Sequence, residues 1–285
     1  MKIDVIGVKS FENRLLVKEI KSRGLESDYA DPRKVSYAFR KNKLRIYLTS
    51  TEYKIPDAVI CRGGFISKIE QEGRQLIHVL EQLGVLLIEK PHLINRDKDK
   101  MFFAMLFMKH KIPTPDTFYL RNKTLLKIID FSPVIVKHQR GRKGKNIFKF
   151  DKLEKLPSKS YFIQNMISNS HVDKRVFVIG DKVIGAMERR AAKKGEWRSN
   201  LALGGSAKAV KVDDKTKNLA IRAAKACEYE IAGVDIITDK QGKQFVIEVN
   251  RAPQFRGLMK ATGINVAGKI VDYVEKRVKT HSKAR

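Results

Sequence analysis

The order of hydrophobic and polar positions in the first 90 residues predicts strands that alternate with helices. Apolar runs at 2–8, 57–62 and 85–89 have the length of buried strands, whereas 10–23 and 69–83 carry apolar side chains at helical spacing. Strands and helices that alternate along the chain favour a parallel sheet covered by helices. We therefore predict an α/β domain for this part of the chain.

The next part of the chain begins with a helix, and the pattern changes from about residue 130. A helix is expected to begin at a cap formed by Asn95 or Asp97 and to end before the two proline steps at 112–115. Strands separated by a glycine-containing loop are predicted between 133 and 150, with a further strand at 161–167. A hairpin around residues 180–181 completes this part of the prediction.

The pattern of the last hundred residues predicts a further group of helices and strands. A helix at 213–228 precedes two strands, 231–238 and 243–249, which a short turn at 239–242 joins. A final helix follows Gly263. Together with the preceding segments, this gives a mixed fold class, α/β at the N-terminus and α+β beyond it.

Composition sets limits on what this protein can be. Its 285 residues are 42% hydrophobic and 32% charged, which is ordinary for a globular protein with a real core. No apolar run has membrane-spanning length, and the start of the chain does not read as a signal peptide. Two cysteines, Cys61 and Cys227, do not make a disulfide framework. We expect a cytoplasmic protein without a membrane partner.

The net charge of +28 is the unusual feature of the composition. A positive field of this size attracts acidic peptides or nucleic acid. The lysines are spread along the whole chain, however, and a solvated lysine-rich surface explains them equally well.

Two neighbouring strands near the C-terminus carry the clearest candidate chemistry. Asp235 lies in "GVDII" and Glu248 and Asn250 in "FVIEVN", a run that otherwise reads as a buried strand. If these strands pair across their short turn, the three side chains converge, since residues two apart share one face of a strand. Three oxygen donors suit Mg²⁺ or Mn²⁺. The alternative is a polar network that closes the edge of the sheet.

The loop "KHQRGRKGKN" (137–146) offers candidate phosphate ligands. Lys137 ends a strand, and Gly141 and Gly144 allow backbone N–H groups to turn toward an anion. This spacing is not that of a Walker loop. Taken alone, the loop is typical of a solvated turn. Nucleotide binding is favoured only because the same chain also carries the carboxylates Asp235 and Glu248.

Several motifs in this order resemble the RimK group of ATP-grasp ligases. They are "ERRAAKKGEWRSNLALGGSA", "AGVDII", "IEVN" and "TGINVAGKIVDYVE", and the resemblance extends over residues 55–280. It implies an ATP-grasp fold preceded by an α/β N-terminal domain. The implied divisions are 1–95 for the N-terminal domain, 96–165 for the central subdomain with the phosphate loop, and 166–285 for the C-terminal subdomain with the metal site.

The resemblance also implies a role for each matching position. Two Mg²⁺ or Mn²⁺ ions would be held by Asp235, Glu248 and Asn250, and Arg198 and Asn200 would lie at the reacting phosphate and the acceptor. The expected ATP contacts are Lys98, Lys137, Gly141, Gly144, Gln164, Asn165, Met166, Ile167, Asp173 and Arg175. Taken singly, these residues also have ordinary structural readings, such as an exposed helix lysine for Lys98 or a cross-strand pair for Asp173 and Arg175.

Three departures from the family pattern affect these expectations. Asn165 stands where the family usually has an acidic residue, and Asn146 replaces the third glycine of the phosphate loop. The segment after the metal ligands usually reads N-x-S-P-G-L-E-G, whereas here it is "NRAPQFRG", which adds Arg251, Phe255 and Arg256. Because this segment borders the substrates in the family, the choice of acceptor is expected to differ.

The function implied is the ATP-dependent joining of an amino acid, glutamate, to an acidic carboxylate acceptor through an acylphosphate. The acceptor would be an acidic peptide, a protein tail or a polyglutamate-like chain. A LysX-like ligase, acting on an acidic carrier protein, or a ligase with a small-molecule acceptor is the alternative within the enzyme class. A non-catalytic protein that binds RNA or ribosomes through a relic ATP-grasp fold is the alternative outside it. We also expect a homo-oligomer and, for any nucleic acid, non-specific contact.

Overall fold

The computed structural model describes residues 1–62, 70–93, 99–121, 123–138, 147–153, 161–168, 172–191 and 205–283. The chain divides into two compact units. The first unit contains Met1–Ile94, Arg251–Met259 and Ile264–Arg285, and the second contains Asn95–Asn250 and Lys260–Gly263. The three-part division expected from the sequence, with boundaries near 95 and 165, stays a prediction.

The strands are β1 (Ile3–Gly7), β2 (Tyr29–Ala30), β3 (Val35–Arg40), β4 (Lys43–Leu48), β5 (Thr51–Glu52), β6 (Ala58–Arg62), β7 (Leu86–Ile88), β8 (Thr117–Leu120), β9 (Val134–His138), β10 (Ile147–Phe150), β11 (Tyr161–Asn165), β12 (Val172–Ile179), β13 (Lys182–Arg190), β14 (Ser206–Ala209), β15 (Ile231–Thr238) and β16 (Gln244–Asn250). The helices are α1 (Phe11–Ser22), α2 (Glu70–Gln82), α3 (Lys100–Lys109), α4 (Asp214–Ala226), α5 (Arg256–Thr262) and α6 (Val266–Lys283).

The first unit contains the predicted parallel sheet, with strand order β2-β1-β6-β7. Every residue of β1 and β6 is buried, as expected for central parallel strands that are covered on both faces. The apolar side chains of α2, among them Leu76, Ile77 and Leu80, pack into the same core. The α/β prediction for the N-terminal region is therefore confirmed.

Both ends of the chain contribute to this first unit through a contact between α1 and α6. Arg23, at the end of α1, donates hydrogen bonds to Asp272 (2.7 Å) and Glu275 (2.9 Å) on α6. Glu19 and the carbonyl of Gly268 occupy its remaining donors. The apolar stripe of α6 is buried as well, so the last helix is a structural part of the N-terminal sheet domain.

Residues 35–52, for which the pattern gave no prediction, form a separate antiparallel sheet in the order β3-β4-β5. Lys41 and Asn42 both have positive φ (48° and 58°) in the turn between β3 and β4. Two consecutive positive-φ residues are typical of the tight hairpin turn, whose twist matches that of the strands. One side of this hairpin packs against the core of the first unit through Tyr37 and Ile46.

The second unit contains two antiparallel sheets, as the α+β pattern predicted. Their strand orders are β10-β9-β11-β8 and β14-β13-β12-β15-β16. Helix α4 packs its buried face, which includes Leu219, Ala220 and Ala223, onto the larger sheet. The predicted turn at 239–242 joins β15 to β16, closed by hydrogen bonds between Asp239 and Lys243.

The start of α3 differs from the prediction. Asp99 caps this helix, and its carboxylate accepts hydrogen bonds from the backbone N–H groups of Met101 and Phe102. The caps expected from sequence, Asn95 and Asp97, lie outside the described residues. Asp99 lies two residues after Asp97 and four after Asn95, and all three give the same local capping signal, so sequence alone does not choose between them. In the part of the chain that is described, no helix is both long enough and apolar enough to span a membrane.

Candidate nucleotide and metal site

The pairing of β15 with β16 brings the proposed metal ligands onto one part of the sheet. Asp235 lies directly opposite Glu248, and Asn250 lies opposite Gly233. A bulge between Asp235 and Ile236 shifts the register at this point. The condition on which the sequence argument depended, that these two strands pair across their turn, is therefore met.

The environments of the two carboxylates differ sharply. Asp235 is buried, with 2% of its surface exposed, whereas Glu248 is exposed. The sequence around Glu248 reads as a buried strand, but the glutamate itself is exposed. In β16 the buried side chains are mainly those of residues 244–246 and Val249, so the glutamate points to the open side of the sheet without a desolvation penalty.

Asp235 is held by two arginines from neighbouring strands. Arg175 on β12 donates to both carboxylate oxygens (2.7 and 2.6 Å), and Arg189 on β13 donates to Oδ2 at 3.0 Å. Burial would raise the pKa of Asp235, but Arg175 and Arg189 outweigh burial and hold that pKa below its ordinary value. The carboxylate is therefore fixed in position and ionised.

Arg189 is a residue of this site that the sequence analysis missed. Its guanidinium also donates to both oxygens of Asp173 (2.6 and 2.8 Å) and so joins Asp173 to Asp235. Burial would lower the pKa of Arg189, but the carboxylates of Asp235 and Asp173 together raise it. In this structure Asp173 therefore orients Arg189, while Arg175 is engaged by Asp235, and their contact with a nucleotide stays a prediction.

A bulge in the β12–β13 hairpin explains why Arg189 was overlooked. Ile179 pairs with Lys182 next to the turn, and if this register continued, Asp173 would face Glu188. The register shifts by one residue between Phe177 and Val178, so Asp173 instead faces Arg189. A slip of one residue moves every later side chain to the other face of its strand. The two-residue turn was visible in the sequence, but the bulge was not.

Lys137 lies at the end of β9 and within electrostatic range of the same carboxylates. Its ammonium donates to Oε1 of Gln164 at 2.5 Å. Burial lowers the pKa of Lys137 to about 8; the carboxylate of Glu248 opposes this fall, and the ammonium of Lys100 adds to it. Lys100, the first residue of α3, was not among the predicted residues. Two cations near two carboxylates form a place where an anion that carries a metal ion would be stabilised.

Three of the expected ATP contacts border a cleft of about 390 Å³ in the second unit. Asn165, Met166 and Ile167 line it together with Pro115 and Phe245. This volume is within the range of small-molecule pockets. The side chain of Gln164 instead bridges Lys137 and Thr117, with a bond of 3.0 Å from its amide to the threonine hydroxyl.

The donors at this site fit a hard cation. A carboxylate has about four lone-pair positions, and three of those on Asp235 accept from arginine, which leaves one on Oδ1. The amide nitrogen of Asn250 is buried and has no hydrogen-bond partner, so the protein does not lock this amide in place. Among the described residues, no cluster of three or more His, Cys, Asp or Glu side chains forms an alternative site.

Several predicted residues lie outside the described ranges, namely Lys98, Gly141, Gly144, Arg198 and Asn200. The segment that follows Asn250 is described, and its expected place beside the substrates stays a prediction. Arg251 and Phe255 are buried, with 3% and 0% of their surface exposed, so neither is presented to solvent. Arg256 is exposed and places its guanidinium 5.0 Å from the centre of the Phe11 ring.

Comparison with known families agrees with the motifs over nearly the whole chain. Residues 97–274 match the RimK-like ATP-grasp domain, and residues 1–94 match the RimK PreATP-grasp domain. The chain is 32% identical to "Probable alpha-L-glutamate ligase 1" of Shewanella amazonensis over 97% of its own length and 96% of that protein. It is 31% identical to "Probable alpha-L-glutamate ligase" of Thioalkalivibrio sulfidiphilus, over 99% and 97% of the two chains.

Solved structures with the same fold include two ATP-grasp proteins. One is the ATP-grasp ligase PsnB complexed with a phosphomimetic variant of a minimal precursor, Mg and ADP (TM-score 0.79, 18% identity, 97% and 98% of the two chains). The other is the RimK domain protein ATP-grasp from Sphaerobacter thermophilus (TM-score 0.68, 17% identity, 96% and 99%). At these identities the likeness concerns the fold. From the two domain matches and the identity to its relatives, the chain belongs to the RimK-like ATP-grasp family of ATP-dependent carboxylate–amine ligases.

Proposed function

We propose that this carboxylate–amine ligase adds glutamate to an acidic peptide acceptor at the site formed by β9, β12, β13, β15 and β16. The observation that carries the proposal is the convergence of Lys137 with Asp235 and Glu248. The naming of the relatives as alpha-L-glutamate ligases supports the amino acid. The precursor bound to the related ligase PsnB supports a peptide as the acceptor.

The phosphates of ATP are assigned to the lysines of the second unit. Lys137 and Lys100 raise the local positive charge, and their mutual repulsion is relieved when a polyphosphate lies between them. Lys98, Gly141 and Gly144 are further phosphate contacts expected from the family pattern. Adenine is assigned to the cleft beside Asn165, Met166 and Ile167.

Asp235, Glu248 and Asn250 are the proposed ligands of the metal ions that accompany ATP. Mg²⁺ is the expected ion, and Mn²⁺ is accepted by the same oxygen ligands. When bound, such ions neutralise charge on the phosphates. The protein's own contribution is to keep Asp235 ionised and immobile through Arg175 and Arg189.

The reaction takes place in two steps. A carboxylate oxygen of the acceptor attacks the γ-phosphorus, the bond to ADP breaks, and an acylphosphate and ADP result. The amine of glutamate then attacks the acyl carbon, phosphate leaves, and the amine loses its proton as the amide bond forms. The family pattern gives Arg198 the role of stabilising the oxyanion and places Asn200 beside it. The reaction is accelerated by the positioning of the substrates and by the exclusion of water from the site, and not by a side-chain nucleophile.

The net charge of +28 supports the choice of an acidic acceptor, such as a protein tail or a polyglutamate-like chain. An acidic carrier protein remains the alternative acceptor. A cytoplasmic location, a homo-oligomeric state and non-specific contact with nucleic acid stay predictions that accompany this function.

The test uses the full chain with Mg²⁺, ATP, isotopically labelled glutamate and an acidic peptide. Mass spectrometry of the peptide, together with measurement of ADP, should reveal a product heavier by one glutamate residue for each ADP formed. Glu248→Gln should form neither product, because it removes a proposed metal ligand without changing the size of the side chain.

Two control reactions make the assignment specific. One replaces glutamate with a mixture of the other amino acids, and the other replaces the acidic peptide with a neutral peptide of equal length. Stronger labelling from the mixture would contradict the assignment of glutamate. Equal labelling of the neutral peptide would contradict the acidic acceptor.

A further inference from the structure

Four charged side chains are buried together at one edge of the parallel sheet in the first unit. They are Glu12, Arg62, Glu89 and Arg251, and each is at most 6% exposed. Arg62 is the last residue of β6, Glu12 lies in the first turn of the helix that follows β1, and Glu89 directly follows β7. The cluster therefore lies at the carboxyl ends of the parallel strands.

The order of these strands makes this edge a place where ligands are expected. In the sheet order β2-β1-β6-β7, the chain continues from β1 outward to β2 and from β6 outward to β7 in the opposite direction. Open α/β sheets bind ligands outside the carboxyl ends of their strands, at the point where the strand order reverses. Here that point lies between β1 and β6, where Arg62 is located.

Arg62 has donors that the protein leaves unused. Its Nη2 donates to the carbonyl of Pro253 at 2.6 Å, but its Nε and Nη1 are buried and have no hydrogen-bond partner. The guanidinium also lies 5.2 Å from the centre of the Phe255 ring. Burial lowers the pKa of Arg62 to about 10; Glu12 and Glu89 oppose this fall, and Arg251 adds to it. A buried cation with unused donors is costly unless a ligand accepts from it.

The buried arginine of the second unit provides a contrast. Arg189 directs its donors to the carboxylates of Asp173 and Asp235, and this ion-pair network stabilises its charge. Arg62 has no such carboxylate among its hydrogen-bond partners. An arginine used only to hold the segment around Pro253 would need just the one N–H that makes that contact. The N–H groups of Nε and Nη1 remain for other acceptors, and a carboxylate oxygen is a suitable one, because it accepts strong charge-assisted hydrogen bonds from a guanidinium.

We propose that Arg62 binds a substrate carboxylate in a subsite at the carboxyl edge of this sheet. The proposal rests on the proposed ligase function, because both substrates of that reaction, the amino acid and the acidic peptide, carry carboxylates. Arg62 would then select and orient one of them, and the experiment separates the two sources.

The test measures binding to the full chain by titration calorimetry in the presence of Mg²⁺ and a non-hydrolysable ATP analogue. The probes are L-glutamate and, separately, a tetraglutamate peptide. Arg62→Lys keeps the positive charge beside Glu12 and Glu89 but removes the planar set of N–H donors. The dissociation constant for one of the two probes should rise about 10- to 100-fold, as expected for the loss of charge-assisted hydrogen bonds. The affinity for the ATP analogue should not change.

Arg23→Lys is the matched control, because it makes the same chemical change in the same unit. The donors of Arg23 are engaged by Glu19, Asp272 and Glu275. This variant should lose some thermal stability and bind both probes as the wild type does. Weaker binding of a probe by both variants to the same degree would mean that general destabilisation is the cause, and it would overturn the proposal.

Hydrogen exchange of the wild-type protein gives a readout that does not depend on the folding of a variant. Glutamate or the peptide should slow exchange in the segment 251–255, whose Pro253 carbonyl accepts from Arg62. Unchanged exchange there with both probes would overturn the subsite. This outcome differs from failure of the ligase function itself, in which wild-type protein would form no ATP-dependent product even though the probes bind.

Discussion

Two substitutions that remove one proposed metal ligand each should differ strongly in their effect on stability. Asp235→Asn and Glu248→Gln both change a carboxylate to an amide of nearly equal size. Asp235 is buried and accepts three hydrogen bonds from two arginines, whereas Glu248 is exposed. Both variants should lose ligase turnover, but only the first should lose much of its stability.

The size of the difference in stability follows from what happens to the arginines that pair with Asp235. Removal of one member of a buried ion pair costs roughly 3–5 kcal/mol, because the other charge stays buried without compensation. Arg189 keeps Asp173 after the change, so about 3 kcal/mol is expected for Asp235→Asn. For a unit of this size that corresponds to a fall in Tm of roughly 6–12 °C. An exposed substitution such as Glu248→Gln should stay within about 0.5 kcal/mol of the wild type.

Thermal unfolding followed by circular dichroism measures the first effect, and labelled glutamate transfer measures the second. Asp181→Asn, in the exposed turn between β12 and β13, is the control for a loss of negative charge alone. Its Tm and turnover should both match the wild type. If Asp235→Asn melted within a degree of the wild type, the ion pairs of Asp235 would not be formed in solution. Normal turnover by Glu248→Gln in Mg²⁺ would refute the metal assignment.

Three further predictions concern charge. Lys137→Met should weaken ATP binding in calorimetry. The ATP affinity of the wild type should fall by up to tenfold per pH unit as pH rises above the Lys137 pKa of about 8. An affinity that stays constant between pH 7 and 10 would mean that Lys137 does not contact phosphate. The pKa of Asp235 is lower in the folded protein than the ordinary aspartate pKa of 3.8. The stabilisation from its ion pairs should therefore be full above pH 3.8 and disappear as pH falls through the folded-state pKa. Asp235→Asn should lack this acid-dependent component of Tm. Arg256→Glu should raise the KM for the acceptor at low salt, since Arg256 is exposed. The wild-type KM for the acceptor should rise steeply between 0.1 and 1 M salt, where the Debye length falls from roughly 10 to 3 Å. Equal KM values across a salt series would show that the positive charge has no part in acceptor capture.

The metal ligands show how far sequence reasoning extended in this chain. The short turn before Glu248 and Asn250 was enough to predict that their strand pairs with the strand of Asp235, and the structure confirms this pairing. The exact partner of Asp235 could not be derived, because the register set by the turn would place Asp235 opposite Ile247, and only the bulge between Asp235 and Ile236 brings it opposite Glu248. The exposure of Glu248 could not be derived, because it depends on what covers each face of the sheet.

The residues missed by the sequence analysis depend on interactions without a local signal. Arg189 faces Asp173 only because a bulge shifts the register of its hairpin by one residue. Lys100 affects Lys137 through space, and the two are 37 positions apart in the chain. Arg251 and Phe255 belong to the first unit, and both are buried within it. Each of these outcomes is decided by packing between elements that are distant in sequence.

By itself, the sequence determined the alternation of strands and helices, the pairing of β15 with β16 and the family to which the chain belongs. These rest on periodicity, turn chemistry and motif order, which act over a few residues at a time. Only the tertiary structure decided that α6 packs on α1, that Asp235 is held by two arginines, and that Arg62 is buried with two unused donors. Burial and charge pairing depend on which distant segments meet, and that information is not contained in any one stretch of the chain.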